Sequence, residues 1–216
     1  MSVKLISVTQ GAAELLGKSA QEIVAYTARV SNPNNQMNFE TAPKLLGYLI
    51  KHKHWSPFEM AHLTLEITTS RGIAAQILRH RSFAFQEFSQ RYSKVADTVF
   101  YNARRQDTKN KQNSIDDMDE DDKAWFLNAQ LQIWSESNAL YEQALEKGIA
   151  KEQARFLLPL GTQTTLYMCG SLRSWIHYCE VRCDISTQKE HRDIALSARS
   201  IIAEQFPDVA NALGWL

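Results

Sequence analysis

The residues of this chain best suited to chemistry lie between Arg79 and Ser93, in the run Arg-His-Arg-Ser-Phe-Ala-Phe-Gln-Glu-Phe-Ser-Gln-Arg-Tyr-Ser. Arg79, His80, Arg81 and Arg91 stand against a single acid, Glu87, with Phe83, Phe85, Phe88 and Tyr92 interleaved. Guanidinium forks grip phosphate or carboxylate, and aromatic side chains bury a flat ring. The combination suits an anionic ligand that carries a ring, such as a phosphorylated heterocycle. An exposed basic turn beside an amphipathic strand is the plainer alternative, because charged clusters commonly just face water.

The eight glycines are too dispersed to form a single Gly-x-Gly, which excludes a dinucleotide fingerprint and a P-loop. A bound nucleotide must then be held by side chains and helix N-termini. Arg79, Arg81, Arg91, Arg155, Arg173 and Arg182 all adjoin apolar sequence rather than charged runs, which makes them candidates. For Arg155, in Gln-Ala-Arg-Phe-Leu-Leu, snorkelling at a helix edge is the structural alternative.

Other constellations carry less. His52, His54 and His62 lack a carboxylate or cysteine at ligand spacing, so no metal site is expected. Cys179 and Cys183, four apart, read as small buried hydrophobes, and no cysteine has the setting of a nucleophile. Ser89 lies near His80 and Glu87, but without a nucleophile elbow its hydroxyl reads as a ligand contact.

Elements to position these groups can be read from periodicity. Val3–Val8 alternates as a strand. Ser19 and Glu22 form a capping box for a helix carrying Ile23, Tyr26 and Val30 to about Ser31. Thr41 starts a helix with Leu45, Leu46, Leu49 and Ile50 on one face, and His62–Thr69 is the clearest strand. Ser70 caps a short helix on which Gln76, Arg79 and His80 share a face. The polar segment 102–122 reads as a surface insertion with no ligand role, followed by a long helix from Trp125 to Lys147 and a short one from Ala150 to Leu158. Thr162–Met168 reads as a strand and Ser171 as the cap of a helix bearing Arg173, His177 and Arg182. Thr187 with Glu190 reads as a capping box for the last long helix. This pattern predicts an α+β class: one compact domain over residues 1–216, helices packed with a small, mostly antiparallel sheet.

Composition narrows the function. Lys+Arg and Asp+Glu both total 24, a balance that argues against a dedicated nucleic-acid binder; such a module on the Arg79–Tyr92 platform would bind oligonucleotides with a steep salt dependence. No membrane-spanning apolar run and no signal-peptide pattern in Met1–Gln10 occur, and the three cysteines cannot all pair, so a cytoplasmic protein is expected.

Arg79-His80-Arg81, seven residues, then Ser89 resembles the signature of the flavin-dependent thymidylate synthases, and Gln90-Arg91-Tyr92-Ser93 continues the likeness. Four further segments fall in that family's order: Ala28-Arg29-Val30-Ser31, His54-Trp55-Ser56-Pro57-Phe58-Glu59, Ala154-Arg155 before Leu158-Pro159-Leu160, and Ser171-Leu172-Arg173-Ser174 leading to Arg182. The resemblance implies conversion of dUMP to dTMP with 5,10-methylenetetrahydrofolate as carbon donor, FAD as cofactor and NADPH as reductant. It also implies a homotetramer with active sites at subunit interfaces. By position it assigns Gln76, Ile77, Leu78, Arg79, Glu87, Phe88, Ser89, Gln90, Arg91, Arg155 and Arg182 to dUMP. Ser56, Arg79, His80, Arg81, Glu87, Ser171, Leu172, Arg173 and His177 are assigned to FAD. Ser171 and His177 stand where some relatives have asparagine, and Gln90 where some have glycine. Arg182 is the expected catalytic group, a permanent cation at the pyrimidine edge. His54 or the Phe83 and Phe85 region is the expected stacking surface for the pterin.

Overall fold

In the computed structural model, which describes residues 1–95 and 97–216, strand β1 (Ser2–Val8) leads to helix α1 (Ala20–Ala28). Ser19 caps α1 through the predicted box: its hydroxyl accepts from Glu22 N, and the Glu22 carboxylate accepts from Ser19 N at 2.8 Å. The helix ends before the Asn32-Pro33 step rather than near Ser31, which leaves Val30 exposed and outside its apolar face. Helix α2 (Ala42–Lys51) buries Leu46 and Leu49, and the 3-10 turn Ser56–Glu59 buries Phe58.

Strand β2 (His62–Ser70) buries Leu63, Leu65 and Ile67 on one face, as its alternation requires. Ser70 Oγ accepts from Ile73 N and starts helix α3 (Arg71–Ile77). Strand β3 (Ala84–Glu87) follows, and strands β4 (Arg105–Gln106) and β5 (Ser114–Ile115) make a separate hairpin inside the polar insertion. Helix α4 (Glu120–Glu146) begins five residues earlier than its apolar pattern. Asp119 caps it and Glu120, Asp121 and Asp122 occupy its first turn, where acids suit the helix dipole. Gly148, at φ +79°, ends the run.

The predicted 150–158 helix divides into α5 (Lys151–Ala154) and a 3-10 turn over Arg155–Leu157, tightened ahead of Pro159. Strand β6 (Gln163–Ser171) then gives way to helix α6 (Leu172–Arg182), capped by Ser171, followed by α7 (Lys189–Gln205) and α8 (Pro207–Ala212). No Thr187–Glu190 capping box forms. Thr187 Oγ1 donates to Val181 O, and Glu190 instead receives a two-pronged guanidinium bond from Arg104, which outcompetes a return bond to a backbone N–H.

The sheet runs β1-β2-β6-β3 with every neighbouring pair antiparallel, so the class is α+β. Leu65 pairs with Met168, and Phe85 of β3 pairs with Met168 from the other side. The buried face meets Trp175, Ile176, Ile194, Ala198 and Ile202 from α6 and α7, while the opposite face is polar: Tyr167 donates to Glu66 at 3.0 Å. Because β2 and β6 are antiparallel and each turns into a helix at its C-terminal end, α3 and α6 start from opposite ends of the sheet. The chain just beyond α3 meets the last turn of α6.

Candidate functional site

The meeting point is a hydrogen bond: Arg182 Nε, on the last turn of α6, donates to His80 Nε2 at 2.9 Å. An arginine N–H cannot accept, so His80 is neutral with its proton on Nδ1. Burial, then the charges of Arg182 and His177, depress the His80 pKa from 6.5 to about 4. Both terminal nitrogens of Arg182 make no hydrogen bond among the described residues. Tyr178 stands edge-on to the His80 ring at 5.0 Å.

Gln76, Arg79 and His80 do not share a helical face, because α3 stops at Ile77 and the chain tightens, His80 N bonding to Ile77 O at 3.0 Å. Arg79 and Arg81 are exposed on this turn, whereas His80 points back toward α6. Gln76 still reaches the same region from α3: its Oε1 lies 3.3 Å from His191 Nδ1, and its Nε2 donates to Gln188 Oε1 at 2.7 Å.

A second cleft of about 370 Å³ is lined by Trp55, Glu59, Ser82, Arg173, Ser174 and His177, among others. Arg173 donates to Glu59 at 3.0 Å and His177 is exposed. Ser56 sits at the start of the turn carrying Glu59. Ser171 is buried and spends its hydroxyl capping α6. Arg173, His177 and Ser82, with an aromatic wall at Trp55, could hold one polar group and one ring of a flavin dinucleotide, with the acids Glu59 and Glu180 on the same walls; the volume accommodates only part of such a molecule.

Other candidates are spread further. The Glu87 carboxylate accepts from Arg71 at 2.7 Å and from Thr164 at 3.0 Å, so it is already committed to the junction of β3, β6 and α3. Arg91 pairs with Glu152 at 3.2 Å, and Arg155 Nε donates to the carbonyl of the same Glu152, which brings these two arginines to one exposed patch. Ser89 and Phe88 are exposed beside it, and Ser89 has no hydroxyl contact with His80. Gln90 is buried, and its Nε2 has no partner among the described residues. Ile77 and Leu172 are core residues, and Leu78 is partly exposed. Phe83 is packed against Trp175 at 4.8 Å, which leaves His54 the more open stacking surface. Among the described residues no metal-binding cluster occurs, and Cys179 is buried beside a partly buried Cys183.

A family model described as "Thymidylate synthase complementing protein" matches residues 7–208. Curated relatives match end to end: the chain is 58% identical over 217 residues to "Flavin-dependent thymidylate synthase" of Synechocystis sp., covering 100% of both chains. The chain belongs to the flavin-dependent thymidylate synthase family. A "Probable flavin-dependent thymidylate synthase" of Paramecium bursaria Chlorella virus 1 is 56% identical, again over 100% of both. A solved structure described as a UMP/dUMP methylase PolB from Streptomyces cacaoi, bound with 5-Br dUMP, shares the fold. Its TM-score is 0.84 at 23% identity, and the match covers 100% of this chain and 95% of that one.

Several residues of this region carry no sequence signature. His191 offers one retrospectively: it falls on the α7 stripe with Ile194, Ala195, Ala198 and Ile202, where a buried histidine demands partners. Arg71, Arg104 and Tyr178 gave no such signal.

Proposed function

We propose that this chain, as a single domain of 216 residues, methylates dUMP reductively to dTMP. The carbon comes from 5,10-methylenetetrahydrofolate, and NADPH reduces bound FAD. The observation that carries this reading is the convergence of the Arg79–Ser93 stretch with α6: Arg182 bonded to His80, and Arg173 and His177 beside Ser82. Arg182 faces the pyrimidine. For C5 to attack, negative charge must spread toward N3 and O2, and a guanidinium there stabilises it as it forms without taking up the proton. Neutral His80 holds that guanidinium without competing for the anion. The flavin supplies the hydride, so no cysteine has to add to the ring.

Arg91 and Arg155 suit the nucleotide phosphate, with Ser89 beside them; Arg79, Arg81, Ser56, Arg173 and His177 suit the flavin. Helix α4 supports an assembled form. It exposes Trp125 (69%), Ile133 and Leu140, apolar side chains that a homotetramer with sites shared between subunits would cover. Among the described residues no helix is long and apolar enough to cross a membrane, and with no basic excess the chain suits small metabolites in the cytoplasm.

The test is direct. Purified protein should be yellow and should form dTMP from dUMP, methylenetetrahydrofolate and NADPH. Bound flavin with no dTMP would overturn the reading.

A further inference from the structure

Behind the candidate site runs a chain of side-chain hydrogen bonds whose direction is set at one end. Arg104 binds the Glu190 carboxylate with two prongs, at 2.5 and 2.9 Å. A carboxylate only accepts, so Gln188 must turn its Nε2 toward Glu190, which it does at 3.0 Å. That leaves Gln188 Oε1 facing Gln76, whose Nε2 must donate to it, at 2.7 Å. Gln76 Oε1 is then the atom that meets His191, so His191 carries its proton on Nδ1. Its Nε2 accepts from Tyr178 OH at 3.2 Å. One carboxylate thus fixes two amide orientations, one histidine tautomer and one hydroxyl.

We propose that His191 is a positioning residue for nucleotide binding: with Gln188 and Glu190 it locks the Gln76 carboxamide in one orientation before dUMP arrives. The proposal rests on the reading of Gln76 as a dUMP contact. Locked this way, Gln76 keeps one Nε2 hydrogen and one Oε1 lone pair for a ligand, in a fixed order. Gln76 and Gln188 open together onto a cavity of about 380 Å³ that also touches Tyr101 and Trp134. A free glutamine would present either end of its amide and lose rotamer freedom on binding; a preoriented one loses little. His191 suits the task because it is fully buried and held neutral. Burial and the nearby Arg182 and His80 depress its pKa to about 3, so the ring stays neutral at physiological pH and its Nε2 keeps the lone pair that accepts from Tyr178, with the proton on Nδ1 toward Gln76. The chain also links the polar insertion, through Arg104, to the nucleotide.

The experiment is calorimetric titration of dUMP into the flavin-loaded protein. Gln76→Ala and His191→Phe should each weaken binding roughly tenfold, the worth of one hydrogen bond to a ligand group. The double variant should bind no more weakly than Gln76→Ala alone. His191→Asn, whose amide N–H replaces Nδ1–H, should bind nearly as the parent does even though Tyr178 loses its acceptor. A merely structural histidine would cost stability in both variants without this split in affinity. Should His191→Phe fail to fold, Gln188→Leu, at an exposed position of the relay between Glu190 and Gln76, must show the same weakening and the same non-additivity. Unchanged dUMP affinity in His191→Phe or Gln188→Leu, alongside a weakened Gln76→Ala, overturns the relay alone. Unchanged affinity in Gln76→Ala overturns the reading of Gln76, and the relay with it.

Discussion

Arg182 and His80, 102 residues apart in the chain, share a 2.9 Å hydrogen bond in which the guanidinium is the donor and the imidazole the neutral acceptor. The bond orients the cation by a group that carries no charge to compete with a substrate. Arg182→Ala should therefore lower turnover about 10²–10³-fold, as loss of a preorganised charge-stabilising donor does. The same variant has a second readout. Without the neighbouring cation the His80 pKa should rise from about 4 toward 6.5, measured by NMR titration of the ring. An unmoved His80 would assign its depression to burial and His177, without Arg182.

Acid should destabilise the fold before it protonates carboxylates. His80 and His191 are neutral in the folded chain, with pKa values of about 4 and about 3, whereas their unfolded counterparts titrate near 6.5. Below pH 6.5 the unfolded state therefore binds more protons than the folded one. Stability should be level above about pH 7 and should fall as pH drops from 6.5 toward 4. For buried His191 the loss is on the order of 2–4 kcal/mol; partly buried His80 adds less because solvent screens it. Urea unfolding at pH 7.5, 6 and 5 reads the slope, and His191→Phe should flatten it.

The parts of the fold legible in the sequence are those governed by local rules. Alternation placed Leu63, Leu65 and Ile67, and the caps at Ser19, Ser70 and Ser171 formed where hydroxyls precede apolar runs. The capping box at Thr187 failed because Glu190 answers to Arg104, 86 residues away, a competitor no local window contains. Arg79 and His80 leave the face of Gln76 because the chain after Ile77 tightens into i→i−3 bonds, Arg79 N to Gln76 O and His80 N to Ile77 O, while His80 Nε2 accepts from Arg182, 102 residues away. For the site, residue types and the resemblance supplied the arginines and His80. The Arg71–Glu87 pair, the relay through His191 and the gathering of Arg91 and Arg155 at Glu152 exist only once the chain is folded.

Gly170 in β6 should resist substitution. A Cβ there would lie 2.5 Å from the Phe83 ring, which packs edge-on against Trp175 and Tyr178 and so cannot withdraw freely. Gly170→Ala should destabilise by about 1–3 kcal/mol, the usual cost of overpacking, seen as a lower urea midpoint. Pairing it with Phe83→Leu should recover part of the loss, because the smaller side chain vacates the space.

The Arg104–Glu190 pair separates stability from function. Its side chains are only 12% and 6% exposed, so removing one partner strands a buried charge. Arg104→Ala should cost about 3–5 kcal/mol, whereas Arg104→Met with Glu190→Leu should stay near the parent in thermal unfolding, because apolar side chains replace a buried ion pair at little net cost. The same double variant removes the carboxylate that directs Gln188 and, through it, Gln76. It should therefore be stable yet weak in dUMP binding. A protein that kept both stability and affinity would show that Gln188 and Gln76 need no carboxylate to choose their orientation, and that the insertion is fastened to α7 for structure alone.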